Sequence, residues 1–509
     1  MGKLVLLGLD GADWGIIDPL VKEGALPNFK KMIDGGSHAR LRSTIPALAA
    51  PSWASIFTGV NPGKHGIFEF VKVGNGRIKL TNGMDEAPYV WAYLDRMRCL
   101  AFNIPFSYPL RPVVNTILVS GYMTPDASVA FADPPEVKNE ILSAVPDYKF
   151  DILAESVKLD FDSMNKRPDG TEIDKSPLAG KLLESLESRI SVSKRLLDNK
   201  PWDAAFLVFS EPHWAQHFFL GEFSAAVKKS DSVIGKLYKM LDDYLGYLIM
   251  NNHNVIVVSE HGFGQIKKTF YVNSFLKQKG HVKVKRQFLK SALKKLGITQ
   301  GLAMSLVPVQ LFRMLRGTAI ADIGKNNLSL DESEGDIDQI HSDGYLNSSH
   351  GCGIVIKNRE KVESIRKALL EASDDDGSRM LRSVLSREDI YKGPMVRYAP
   401  DLIVVPNEGV DISDILKNRI TEQKGPHNMV NGYHDGVGIF VSHGPDFIRK
   451  GRMEDLSVFD ITPTILSYFG YEPLESMDGR RIPIFERSGN LKSALKKQDV
   501  PIGQENIQR

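Results

Sequence analysis

The chain opens on an apolar run, "KLVLLGLD" (residues 3–10), that stops at Asp10. It is too short to span a bilayer and no small-residue cleavage site follows, so it predicts a buried first strand. Comparable β-branched runs recur as "CLAFNIPF" (99–106), "DAAFLVFS" (203–210) and "NVIVVSEHG" (254–262). Between them, "LPNFKKMID" (26–34) and "FSAAVKKSDSVIGKLYKMLDDYL" (223–245) carry the spacing of amphipathic helices. That alternation predicts an α/β fold with a mostly parallel central sheet flanked by helices. Strand-like runs return late in "CGIVIK" (352–357), "PDLIVVP" (400–406) and "GVGIFVS" (436–442), followed by a helical pattern in "LSVFDITPTILSYFG" (456–470). The C-terminal half is therefore expected to complete the same sheet.

Charge breaks this rhythm once. Residues 262–321 contain twelve Lys or Arg and no Asp or Glu, end in the apolar "LAMSLVPVQLFRML", and are followed by the acidic "DESEGDID" at 331–338. The expected organisation is a discontinuous domain over 1–280 and 338–487, a basic, partly apolar cap inserted at 281–337, and a loose tail at 488–509. The insertion has two readings: a helical cap packed on the core, or a surface for an anionic lipid headgroup, giving peripheral membrane contact. It lacks the interleaved aromatics that stack bases, so a nucleic-acid partner is not expected. Across all 509 residues, 64 basic side chains nearly balance 62 acidic ones, and net charge alone names no partner. Two cysteines are too few for a disulfide framework, which fits a reducing cytoplasmic setting.

The chemistry-bearing residues gather at strand ends. Asp10 follows the first strand, where open α/β sheets bind ligands, although an Asp-Gly pair there is more often a turn or helix cap. Glu260 and His261 follow "NVIVVS" in the same way and add oxygen and nitrogen donors suited to zinc or manganese. His213 and His217, in "SEPHWAQHFF" after another strand, share one helix face at a spacing of four. His434, in "NGYHDGVGIF", precedes a further strand. Each of these alone has a bland reading as a packed or solvated side chain. Six candidates over four segments suggest two adjacent divalent ions, which orient a phosphate and stabilise both oxygens of an in-line displacement.

The chain resembles the alkaline phosphatase superfamily, in its type I phosphodiesterase/nucleotide pyrophosphatase branch. The resemblance runs through "LGLDGADW", "LPNFKKMIDGG", "LRSTIPALAAPSWASIFTGVNPGKHGIFEF", "FSEPHWAQHFF", "VSEHGFG", "GYHDGVGIFVSHGP" and "DITPTILSYFGYEPLESMDGRRI". It implies two zinc-like ions flanking a threonine or serine that attacks phosphorus to form a covalent intermediate. Carried over by position, Asp10, Glu260, His261 and the nucleophile would hold one ion, and His213, His217 and His434 the other.

Three positions depart from the family pattern. Glu260 stands where Asp is usual, and His213 stands where many members have Asp. At the nucleophile position, ten residues before Gly59, the chain has Ala49. Thr44 also begins a Thr-x-Pro element, but it lies fifteen residues before Gly59, too early for its hydroxyl to reach. Ser52 matches a position where relatives often carry an asparagine that binds phosphoryl oxygen.

One anomalous residue within an intact constellation predicts an engineered Thr→Ala or Ser→Ala change in a metal-dependent phosphodiesterase-like hydrolase. Its substrate would be a small phosphodiester, pyrophosphate or phosphomonoester, nucleotide-linked or lipid-linked. The alternative is a catalytically silent, metal-dependent binder of a phosphorylated ligand. A sulfatase is disfavoured because Trp53 stands where an arginine is needed, and Lys64 and His65 in "NPGKHGI" read as a turn rather than as catalysts.

Overall fold

A computed structural model describes residues 2–74, 77–80, 87–150, 174–285, 337–347, 351–425 and 428–486. Most of the expected insertion and the tail lie outside the described residues.

The first strand, β1 (Leu4–Leu9), is buried along its whole length. It sits at the middle of a ten-stranded sheet. In chain order the other strands used below are β2 (Ser37–Arg42), β3 (Cys99–Ile104), β4 (Thr116–Ser120), β5 (Ala204–Phe209) and β6 (Asn254–Val258). β1 pairs in parallel with β5 on one side and with β6 on the other, and β3 continues the parallel set between β5 and β4. Both faces of these strands are covered, which is why their sequences read as continuous apolar runs rather than alternating ones.

Alternation along β1 decides which side chain enters which layer. Val5, Leu7 and Leu9 join one core with the helices at Trp14–Lys22 and Pro27–Gly35 and with α2 (Ser176–Asn199), α3 (Glu211–Ala225) and α4 (Val233–Met250). Leu4 and Leu6 face a second core built around the helices Ala49–Thr58 and Ile461–Tyr468; the first of these is called α1. On that face Gly8 has no side chain because a Cβ there would lie 2.4 Å from the Trp53 ring of α1.

Two expectations need correction. The helical pattern over 223–245 breaks: α3 ends at Ala225 and α4 starts at Val233, where the Ser232 side chain accepts from the Gly235 N–H and caps the new helix. The runs at 352–357 and 400–406 do form strands, Gly353–Ile356 and Leu402–Pro406, but not in the central sheet. They pair with each other and with Gly344–Leu346 and Leu381–Ser386 in a separate four-stranded antiparallel sheet, with its own apolar core under the helix Val362–Leu370. Of the three late runs only 436–442 reaches the central sheet, as β9 (Val437–His443), antiparallel to β2 and β6. Periodicity identifies a strand and is silent on its partner.

The residues on either side of 286–336 meet one another. Val284 bridges Ile337, the Asp338 N–H donates to Lys283 O, and His281 sits 3.1 Å from Asp343. Among the described residues no helix is long and apolar enough to cross a membrane.

Candidate metal centre

Register brings the strand ends together. Leu9 of β1 lies opposite Phe209 of β5, and Gly8 lies opposite Val258 of β6, so Asp10, the start of α3 and the Glu260–His261 pair emerge at the same sheet edge. α3 begins at Glu211, directly after β5, which puts His213 and His217 on its first two turns. The antiparallel pairing of β7 (Gly262–Gln265) with the distant β8 (Gly432–Asp435) sets His434 opposite Phe263. The six residues thereby converge: the His261 and His434 rings stack at 4.0 Å, and the His213 ring lies 4.6 Å from His217 and 5.0 Å from His434.

Two donor groups result, one of Asp10, His213, Glu260 and His261 and one of His213, His217 and His434, with His213 in both. Asp10 Oδ1 lies 3.0 Å from His213 Nδ1, and Glu260 Oε1 lies 3.0 Å from His261 Nε2. None of these four buried atoms makes an aligned hydrogen bond, and such atoms are rare in folded proteins without a water or ion to explain them.

The imidazoles show the same conflict more sharply. His217 Nδ1 faces Gly432 O at 2.9 Å, His434 Nδ1 faces Ala47 O at 3.1 Å, and His261 Nδ1 faces Gly262 O at 3.1 Å. A carbonyl can only accept, so each Nδ1 carries a proton, and wherever the ring is neutral its Nε2 presents a lone pair. His217 Nε2 and His434 Nε2 nevertheless face one another at 3.1 Å. A cation between such lone pairs removes the repulsion, and ring nitrogens held by backbone carbonyls are the usual support of metal-binding histidines. The donor set fits divalent ions of the zinc type.

Burial disfavours charge on Asp10, but His213, Glu260 and His261 around it outweigh that and hold it well below the usual carboxylate range. Burial and the nearby Asp10 push Glu260 up to about 8. His261 is raised, its burial outweighed by the two carboxylates, whereas burial and three neighbouring imidazoles drive His434 well below its ordinary value.

Ala49 is the first residue of α1, with Leu48 as the N-cap. The helix approaches the cluster from the second core: Trp53, one turn on, packs over Gly8 of β1, and Ala47 O meets His434. Ser52 is fully buried, and its hydroxyl shares hydrogen bonds with Ser43 at 2.9 Å and Thr44 at 2.7 Å. Thr44 also donates to Pro46 O. Both hydroxyls thus tie the preceding loop to α1. Lys64 and His65 lie on the one-turn helix Pro62–His65 rather than in a plain turn, Lys64 pairing with Asp478 at 2.6 Å and His65 buried against Ser55.

Sequence reasoning missed the side chains that hold the donors in place. Gln216 donates to Gly11 O at 2.7 Å and accepts from the Tyr238 hydroxyl, fixing α3 against the turn that follows Asp10. Asn431 ties α3 to the His434 strand. Lying between or beside histidines was the only signal, and it does not distinguish either from a solvated amide.

No curated protein sequence matches this chain. Murine ectonucleotide pyrophosphatase/phosphodiesterase 5 superposes with a TM-score of 0.52 at 16% identity, covering 94% of this chain and 97% of that one. Phosphonoacetate hydrolase from Sinorhizobium meliloti 1021, solved with phosphonoacetate, gives a TM-score of 0.53 at 15% identity, covering 91% of this chain and 94% of that one. At such identities the likeness concerns the fold alone. The profile of the family described as type I phosphodiesterase / nucleotide pyrophosphatase, a group of phosphohydrolases, matches residues 4–446, and the chain belongs to that family.

Proposed function

We propose that this chain binds two divalent ions, zinc before manganese, and takes a small phosphorylated compound as a phosphohydrolase of the phosphodiesterase/pyrophosphatase type. Asp10, Glu260 and His261 would hold one ion, and His213, His217 and His434 the other. The observation that carries the reading is the convergence of six donors from four segments, three of the rings having their far nitrogen engaged by backbone carbonyls.

Divalent ions at such a site polarise a phosphoryl oxygen and offset the charge that develops in displacement. The chain's own residues do the rest: Gly262 O, Gly432 O and Ala47 O orient the rings, and Gln216 holds the turn after Asp10. The first turn of α1 offers helix N-terminal amides, groups suited to phosphoryl oxygen. A nucleotide-linked or lipid-linked ester is the expected class.

Ala49 brings no hydroxyl for a covalent intermediate, and Ser52 and Thr44 are engaged with each other. The same observation favours a second reading, a metal-dependent binder of a phosphorylated ligand without turnover. Metal analysis combined with hydrolysis of bis-p-nitrophenyl phosphate and p-nitrophenyl phosphate, by this chain and by Ala49→Thr, separates the two. Turnover in the threonine version alone, with about two ions bound as a two-metal site requires, establishes the covalent route. Bound metal with turnover in neither version selects the binder, and absence of metal uptake overturns both.

A further inference from the structure

The strand carrying His434 is held to α3 by a buried polar clamp that the chemistry itself does not use. Asn431, fully buried and three residues before His434, employs its side chain at both ends. Its Oδ1 accepts from the Gly221 N–H at 3.1 Å, and its Nδ2 donates to Phe218 O at 3.2 Å, Glu222 Oε2 at 3.1 Å and Asn428 O at 3.3 Å. Its backbone N–H donates to His217 O at 2.8 Å.

Lys175, just before α2 and only 7% exposed, grips the same three partners: Phe218 O at 2.7 Å, Glu222 Oε1 at 2.7 Å and Asn428 O at 3.0 Å. Two donors from distant segments thus converge on Phe218 O, beside His217, and on the Glu222 carboxylate one turn further along α3. Gly432 makes the close approach sterically feasible, since a Cβ there would lie 2.3 Å from Gln216 O.

We infer that Asn431 and Lys175, bridged by Glu222, are positioning residues that set the separation of His217 and His434 and thereby the shape of the three-imidazole ion site. The inference rests on the metal reading above. Groups that orient ligands from outside typically change metal affinity about 10- to 100-fold when altered. The isosteric exchange Asn431→Asp is diagnostic, because it keeps the acceptor for Gly221 and replaces a donor by an oxygen facing three oxygens. Glu222→Gln is the gentler variant, at a half-buried position.

The test is Co2+ titration of the full chain followed by visible absorption, with His434→Ala identifying the band of the three-imidazole site and circular dichroism verifying folding. The wild-type chain should take up about two ions. Asn431→Asp should keep the ion at Asp10, Glu260 and His261 and bind the other about 10- to 100-fold more weakly with an altered band, while Glu222→Gln shifts the same band in the same direction by less. Should Asn431→Asp fail to fold, Glu222→Gln decides alone. Wild-type uptake with folded variants indistinguishable from it, or with equal weakening of both ions, overturns the positioning role and leaves the metal reading standing. A wild-type chain that takes up no Co2+ overturns the metal reading itself.

Discussion

Single side chains control this site through contacts that are unforgiving in one direction. Gly8 is the clearest: the Trp53 ring occupies the volume a Cβ would need, and overpacking a filled core costs about 1–3 kcal/mol. Gly8→Ala should lower unfolding free energy by about that amount in chemical denaturation, with α1 displaced from the end of β1. Asp411 offers a pH-dependent counterpart well away from the donors in sequence. Burial pushes its carboxyl up to about 6, against opposing contributions from the Ile412 N–H and Lys424. A carboxyl with a raised folded pKa binds its proton more tightly in the folded than in the unfolded chain, so its contribution to stability falls as pH rises from about 4 to about 6 and stays lost above. Asp411→Asn removes that titration. The variant should gain stability over the natural chain at pH 7.5 relative to pH 4, and a constant difference across that range would refute the assignment.

At the scale of elements, the break between α3 and α4 matters more than either helix's propensity. Without it, a single helix over 223–245 would run on from the His213–His217 turns. Ser232 ends that continuity by capping α4 through Gly235. Losing such a cap costs about 1 kcal/mol, so Ser232→Ala should lower the denaturation midpoint by the equivalent amount. Parallel strands and a long-range antiparallel pair divide the labour at the site: β1, β5 and β6 deliver Asp10, α3 and the Glu260–His261 pair to one edge, and β7 pairing with β8 brings His434 to them. His281, which meets Asp343, also meets Ser364 at 3.2 Å, which ties the helix Val362–Leu370 to the residues on either side of 286–336.

For the molecule as a whole, the donors join segments as far apart as residues 10 and 434, so ion binding and stability are linked. An ion that binds only the folded chain adds about 2.7 kcal/mol at a free concentration a hundred times its Kd. Chelation should therefore lower the thermal midpoint and zinc restore it, with Asp10→Asn or His434→Ala blunting the response; a midpoint indifferent to both would count against the metal reading. Much of this was legible along the chain. The apolar runs of β1, β3, β5 and β6 declare strands buried on both faces, and a carboxylate or histidine directly after such a run has only the strand's end to occupy. The spacing of His213 and His217 fixes a common helix face, and counting back from Gly59 isolates Ala49. Pairing was not legible, because strand identity depends on local side-chain alternation whereas partners are selected by contacts hundreds of residues away. Only the tertiary structure sent Gly353–Ile356 and Leu402–Pro406 to a second sheet, committed Ser52 to Ser43 and Thr44, and placed Asn431 and Lys175 on the same carbonyl beside His217.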